Sequence, residues 1–220
     1  MGYSHYAVEC KFVELPGINL FLRIYRGIFY ETKGYSMRRR TSATVFVSTN
    51  GQVVLSFMAD HPEGNFLPGD IQEATDLSKA GTHRALKALE DQGLVTSESR
   101  GRMSFYSLRA EDARVRQFKA LKTVIMLEPH IEKLKPFVRK VILFGSAARG
   151  EDGPGSDLDL FIVAKDVDEA RRKVDGWKLK RKLQPVIKTA VDVASMEKGE
   201  AVFMREVENG IVLWEGKDDA

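Results

Sequence analysis

The sequence is poor in the residues that staple or metallate small proteins. Among 220 residues there is one cysteine, Cys10, which excludes an intramolecular disulfide and any cysteine-based zinc site. The four histidines lie scattered at His5, His61, His83 and His130, which argues against a histidine metal centre. Neither charge sign dominates: 34 Lys and Arg face 31 Asp and Glu, a net charge of +3. Long apolar runs are missing too. The best, Ile18 to Phe29, is broken by Arg23 and Arg26 and falls short of the roughly 20 residues that cross a bilayer, so no membrane partner is expected. No low-complexity tract or internal repeat appears, and with 43% hydrophobic residues the chain can bury two small cores. The expected setting is soluble and cytoplasmic.

What is present is concentrated towards the C-terminus. Lys140 to Phe144 is a β-branched and aromatic run that ends at glycine, as a buried strand does. The segment Gly145-Ser146-Ala147-Ala148-Arg149-Gly150-Glu151 follows. Gly145 lets the backbone pass close to a ligand, and Ser146 adds a hydroxyl and an N–H where a helix should begin, so an anion is expected there. Beyond the loop Glu151 to Gly155, Ser156-Asp157-Leu158-Asp159-Leu160 opens a second expected strand, Leu158 to Val163. Alternate strand residues share a face, so Asp157 and Asp159 project together. Two carboxylates so held repel each other unless a divalent cation lies between them, and hard oxygen donors suit Mg²⁺. Alone, Asp-x-Asp reads as a strand-end turn; the upstream Gly-Ser shifts the weight to a metal pair.

Metal-assisted phosphoryl and nucleotidyl transfer often needs a third carboxylate. Asp192, in Val191-Asp192-Val193-Ala194, alternates with apolar residues as on a further strand of the same sheet, the alternative being an exposed polar residue on an edge strand. Between the pair and Asp192 lies a basic segment, Arg171-Arg172-Lys173, Lys178, Lys180-Arg181-Lys182 and Lys188. With Val174, Trp177 and Leu183 it suggests an amphipathic helix ended near Pro185, either a solvated face or an attractor for an anionic leaving group or nucleic acid.

Gly145-Ser146, Arg149-Gly150-Glu151, Ser156-Asp157-Leu158-Asp159-Leu160 and the later Asp192 resemble the minimal nucleotidyltransferase family, small members of the DNA polymerase β-like superfamily. The resemblance covers roughly residues 120–216 and includes a terminal Gly210 to Gly216 like that family's closing strand. It implies that Gly145 and Ser146 hold the phosphates of an NTP, with ATP the expected one, and that Ser156 is a further nucleotide contact. Arg149 either approaches the triphosphate or pairs with Glu151 or Asp152. The resemblance further implies that Asp157 and Asp159 bind Mg²⁺ and that Asp192 completes the catalytic and metal site beside an acceptor hydroxyl. The reaction implied is attack of that hydroxyl on the α-phosphorus with release of pyrophosphate.

The middle of the chain carries a second pattern. Gly51 to His61, Pro68 to Asp76 and Ser78 to Gln92 read as helices, the last with Ala80, Ala85, Leu86 and Leu89 on its apolar side. Gly93-Leu94-Val95 then enters a hairpin that turns at Arg100-Gly101 and returns along Met103 to Leu108. Asp76 to Glu90 with Gly93-Leu94-Val95 resembles the recognition-helix region of winged-helix transcription regulators. By that resemblance Ser78, Lys79, Thr82, His83, Arg84 and Lys87 contact double-stranded DNA, and Arg100 and Arg102 reach it from the wing. From Met37 to Ala110 nine Lys and Arg meet eight Asp and Glu, so strong non-specific affinity is not expected, and winged helices also serve as dimerisation and docking modules.

The expected fold class is α+β: a winged-helix domain followed by a polymerase β-like nucleotidyltransferase α/β domain with a mixed sheet. The expected domains are an N-terminal extension at 1–36, the winged helix at 37–110, a linking helix at 111–136 and the transferase at 137–220. Over Glu111 to Phe137 an apolar stripe of Val115, Phe118, Leu121, Val124, Ile125 and Leu127 serves core packing or a homodimer interface. Lys33-Gly34-Tyr35-Ser36-Met37 back-translates to a purine-rich stretch before an ATG, so Met37 is an expected natural start. The expected function is NMP transfer from an NTP coupled to DNA binding. The resemblance adds a toxin–antitoxin-like setting with a HEPN-type protein partner. The alternatives are a nucleotide-responsive winged-helix regulator without turnover and an enzyme acting on RNA.

Overall fold

A computed structural model describes residues 49–216, so the expectations for residues 1–36 and for Met37 lie outside the described residues. The first core forms where the helical periodicities meet. Helix α1 (Asn50–Asp60) starts at a reciprocal cap, Gln52 N–H donating to Thr49 Oγ1 at 3.2 Å while Thr49 N–H donates to Gln52 Oε1 at 3.1 Å. A two-residue strand β1 (Asn65–Phe66) precedes α2 (Pro68–Thr75), which ends at Asp76 with φ 56°. Helix α3 (Lys79–Asp91) is capped by Ser78, whose hydroxyl accepts the Gly81 N–H at 3.1 Å. Strands β2 (Val95–Arg100) and β3 (Met103–Leu108) form the hairpin, with β1 on the outer side of β3. Val54, Met58, Ile71, Leu86 and Val95 are nearly or fully buried at the centre of this winged helix.

Helix α4 (Ala113–Leu134) serves two cores. Val115 and Phe118 pack into the winged helix, whereas Leu127, Ile131 and Leu134 pack beneath the second sheet. Lys122 Nζ ties α4 to α1, donating to the Ser56 carbonyl at 2.9 Å and lying 2.6 Å from Asp60 Oδ2. A short 3₁₀ turn (Lys135–Phe137) leads into β4 (Val138–Phe144).

The second sheet has the order β6-β5-β4-β7. Strand β5 (Leu158–Ala164) is antiparallel to β4 and parallel to β6 (Leu183–Thr189), and β7 (Ile211–Glu215) is antiparallel to β4. The sheet is therefore mixed. Its central strands are apolar on both faces, as strands covered on both sides must be. Val141, Leu143, Leu160 and Ile162 join the α4 side, while Ile142, Phe144 and Phe161 meet Met196, Met204 and Val207 on the other. Met196 belongs to α7 (Ala190–Gly199), and Met204 and Val207 to α8 (Ala201–Glu208). Helices α5 (Gly145–Arg149) and α6 (Val167–Asp175) follow β4 and β5.

Two expectations are corrected here. The basic segment is not one helix to Pro185: α6 ends at Asp175 before Gly176, and Leu183 to Thr189 is the edge strand β6. Pro185 is tolerated because an edge strand needs only one of its two rows of backbone groups. Nor does Asp192 lie on a strand; it occupies the first turn of α7.

Gly150 carries the tightest junction. It has φ 67°, and a Cβ on it would lie 1.9 Å from the Arg116 carbonyl oxygen of α4. Gly155 has φ 86° with open space around it. Gly155→Ala is therefore expected to cost about 1–2 kcal/mol through backbone strain alone. Gly150→Ala is expected to cost clearly more when both variants are unfolded in urea; equal losses would show that α4 does not press on this turn.

Candidate active site and nucleic-acid interface

The antiparallel register places Asp159 opposite Phe144, the last residue of β4. The next residue is Gly145, whose φ of 70° is one that L side chains rarely adopt. A Cβ there would meet Asp159 Oδ2 at 2.5 Å, so a larger residue would have to displace that carboxylate as well as strain the turn. Asp157 stands two residues earlier, on the same face of the strand. That face is the one covered further along by α7 and α8, since Phe161 belongs to it.

The two carboxyls differ in environment. Asp157 Oδ2 accepts from Gln184 Nε2 and lies 3.4 Å from Lys182 Nζ. The Gln184 hydrogen bond, followed by Lys182 and Arg181, holds its carboxyl below the ordinary range. Asp159 is held above that range, first by burial and then by the negative charges of Asp157 and Glu206, with Arg181 partly offsetting them. Glu206 comes from α8 and shares a pocket of about 290 Å³ with Gly145, Ala148, Arg149, Arg205 and Asn209.

Of the sequence-predicted residues, Gly145, Asp157 and Asp159 come together. Asp192 does not join them. Its Oδ2 accepts the Thr189 N–H at 3.0 Å and the Thr189 hydroxyl at 2.7 Å, closing a capping box on α7. Thr189 pairs with Ala164, five residues along β5 from Asp159, about 16 Å away at a strand's rise. The residue beside Asp159 on β6 is Gln184, a neutral amide. Among the described residues no group of three His, Cys, Asp or Glu side chains is placed to hold a metal ion. Two carboxylates still fit a hard cation, because Mg²⁺ is commonly held by one or two of them together with substrate phosphates.

The remaining predicted nucleotide contacts are placed as follows. Ser146 is the second residue of α5, half-buried. Ser156 Oγ accepts the Gly153 N–H at 2.9 Å and closes the loop before Asp157. Arg149 pairs with Glu151, Nε to Oε2 at 2.8 Å, and lies 3.6 Å from Glu206 Oε1, which supports the ion-pair alternative. Sequence reasoning missed Lys119, Gln184 and Glu206, and named Arg181 only as part of the basic segment, not as a partner of Asp152, Ser156 and Asp157. The alternation Leu183-x-Pro185-x-Ile187 after Gly176 was the available signal for β6 and hence for Gln184.

On the winged helix, Lys79, His83, Arg84 and Lys87 are exposed on α3 at spacings of three and four residues, which gathers them on one face. Two expectations are corrected. Thr82 is 1% exposed and its hydroxyl donates to the Ser78 carbonyl at 3.2 Å, so it belongs to the interior rather than to a DNA surface. Ala80, expected on the apolar side, faces solvent, and Gly81 and Thr82 take the buried position. Ser78 is exposed with its hydroxyl engaged as the cap. On the wing, Arg102 is exposed at the turn, while Arg100 pairs with Glu98 at 2.7 Å and lies over the Phe105 ring at 5.0 Å.

Comparison with known families agrees with both halves of this fold. Residues 129–219 match the family model described as polymerase beta, nucleotidyltransferase. Residues 53–102 match that of the MarR family. No curated protein matches the chain. The chain thus carries a MarR-type winged helix followed by a nucleotidyltransferase domain of the polymerase β type. No helix among the described residues is long and apolar enough to cross a membrane.

The raised Asp159 carboxyl has a pH signature. Folding favours its protonated form, so the stability it contributes is complete below the ordinary aspartate range, about pH 4, and is lost as pH rises through its raised value. Asp159→Asn is therefore expected to raise Tm at pH 7, with the gain vanishing below about pH 4. A Tm difference independent of pH would contradict this placement.

Proposed function

We propose that the protein is a Mg²⁺-dependent nucleotidyltransferase that moves an NMP from an NTP, with ATP the expected donor, to a hydroxyl acceptor. The observation that carries this reading is the contact of Gly145 with the Asp159 carboxylate, with Asp157 on the same face. The acceptor oxygen bonds to the α-phosphorus and the bond to the β-phosphate oxygen breaks. Pyrophosphate leaves, and the hydroxyl proton passes to a carboxylate of the site. Asp157 and Asp159 hold the cation, which when bound supplies electrostatic stabilisation of the attacking and leaving oxygens. Gly145 and Ser146 receive the phosphates along the open side of the turn. Arg149, tethered between Glu151 and Glu206, borders the same pocket.

The winged helix adds duplex DNA as a partner, engaged by Lys79, His83, Arg84 and Lys87 in the major groove and by Arg102 from the wing. Winged-helix regulators act on paired half-sites, which supports a homodimer. A cytoplasmic protein modifying a HEPN-type partner in a toxin–antitoxin-like system fits this pairing of domains by analogy with relatives of the transferase. The second reading is a nucleotide-responsive regulator without turnover. It is favoured by one observation, that Gln184 and not a third carboxylate stands beside Asp159.

The two readings separate on transfer of α-³²P label from each NTP into the protein itself, total RNA and a host lysate. Label dependent on Mg²⁺ and lost in Asp157→Ala/Asp159→Ala is expected, whereas nucleotide binding without label would establish the regulator. Asp192→Ala is expected to lower Tm slightly and keep transfer, because Asp192 caps α7; loss of transfer with Tm unchanged would return Asp192 to the catalytic site. For DNA, Lys87→Ala is expected to reduce the slope of log K against log salt by about 0.9. An unchanged slope would remove that face from the interface.

A further inference from the structure

Lys119 is the one buried charged side chain among the described residues, and it lies on α4, outside the segment that matches the nucleotidyltransferase family. An ammonium so deeply set needs fixed acceptors. Its Nζ donates to the Asp152 carbonyl and lies 3.5 Å from Asp152 Oδ1, a buried oxygen with no hydrogen bond of its own. The other oxygen, Oδ2, accepts from Arg181 Nη1 at 2.7 Å. Arg181 spends the rest of its fork on the strand entry: Nε donates to the Ser156 carbonyl at 3.0 Å and Nη2 to the Asp157 carbonyl at 3.1 Å. A planar guanidinium with three acceptors has little freedom to turn without breaking several bonds. The two carbonyls it holds bracket Asp157, and so set the direction in which that carboxylate leaves the chain.

We propose that Lys119 is a positioning residue for the carboxylate pair: through Asp152 and Arg181 it fixes the backbone of Asp157, so the transferase site is completed by a side chain from the helix that also packs beneath the winged helix. The inference rests on the reading of Asp157 and Asp159 as cation ligands. Lys119 touches neither substrate nor cation; its effect travels through two hydrogen-bonded partners. The neighbouring turn reinforces the same junction, since Arg116 of α4 pairs with Glu151 at 3.2 Å and its backbone abuts Gly150. Lys122, three residues beyond Lys119, ties α4 to α1 of the winged helix.

The test uses the full chain carrying Lys119→Met, which keeps an apolar stem and removes the charge, with Asp152→Asn as a second variant. In the metal-free protein, amide exchange at Asp157 and Leu158 is expected to speed up several-fold while Val141 to Leu143 exchange as before. With a non-hydrolysable NTP analogue, the Mn²⁺ dissociation constant read by electron paramagnetic resonance is expected to rise about tenfold, the low end for partners outside the ligand shell. The double variant is expected to lose little more than either single one. Unchanged exchange at Asp157 and Leu158 in a folded variant overturns the inference whether or not the wild type binds metal. Faster exchange with unchanged Mn²⁺ affinity overturns it as well. A wild type that binds no Mn²⁺ overturns the preceding reading on its own, and exchange then decides whether Lys119 holds Asp157.

Discussion

The close approach of Gly145 to the Asp159 carboxylate is the contact on which the site depends. It requires that β4 end opposite Asp159, that the chain turn there with a positive φ, and that no side chain intervene. The first condition is met by burying both faces of β4 and β5, because a one-residue slip would exchange their two apolar sets. Once the register is set, Asp157 and Asp159 have no choice of face. Their shared charge is then answered unequally, by Gln184 and Lys182 at Asp157 and by burial at Asp159. An acidic face left incompletely neutralised is what a cation and a polyphosphate together would satisfy.

Helix α4 gives the molecule its second constraint. A linker between two independent domains would place its apolar residues in one core or the other. Here Val115 and Phe118 enter the winged helix, and Leu127, Ile131 and Leu134 enter the transferase. The stretch between them carries Arg116, Lys119 and Lys122, which reach Glu151, Asp152 and Asp60 respectively. The winged-helix core and the loop before the carboxylate pair thus both pack against one continuous helix. Any displacement of that helix bears on the loop that leads into Asp157.

Much of this was legible in the sequence wherever a local pattern has a single physical solution. The apolar run ending at Gly145, the strand-like run from Leu158 to Val163 and the helical period from Ser78 to Gln92 each point to one structure, and each is found. The failures share a cause. Val-Asp-Val at 191–193 is too short to distinguish a strand from a capped helix turn, and Thr189 three residues before Asp192 decides for the helix. Strand β6 pairs in parallel with β5 across an intervening helix, so its partner is not written nearby, and the surrounding Lys and Arg masked its period of two. Thr82 went inside because its hydroxyl can bond back to the Ser78 carbonyl. Lys119 was invisible for a different reason: a lysine on a helix reads as solvated until a buried carboxylate is brought to it in space.

The central claim is that the cation is held where the chain enters β5, by Asp157 and Asp159. Its most direct test is anomalous scattering from crystals of the full chain grown with Mn²⁺ and a non-hydrolysable ATP analogue. A manganese peak between the Asp157 and Asp159 carboxylates, with the triphosphate beside Gly145 and Ser146, is the predicted result. A peak at Asp192, or a bound nucleotide with no manganese at Asp157 and Asp159, would contradict it.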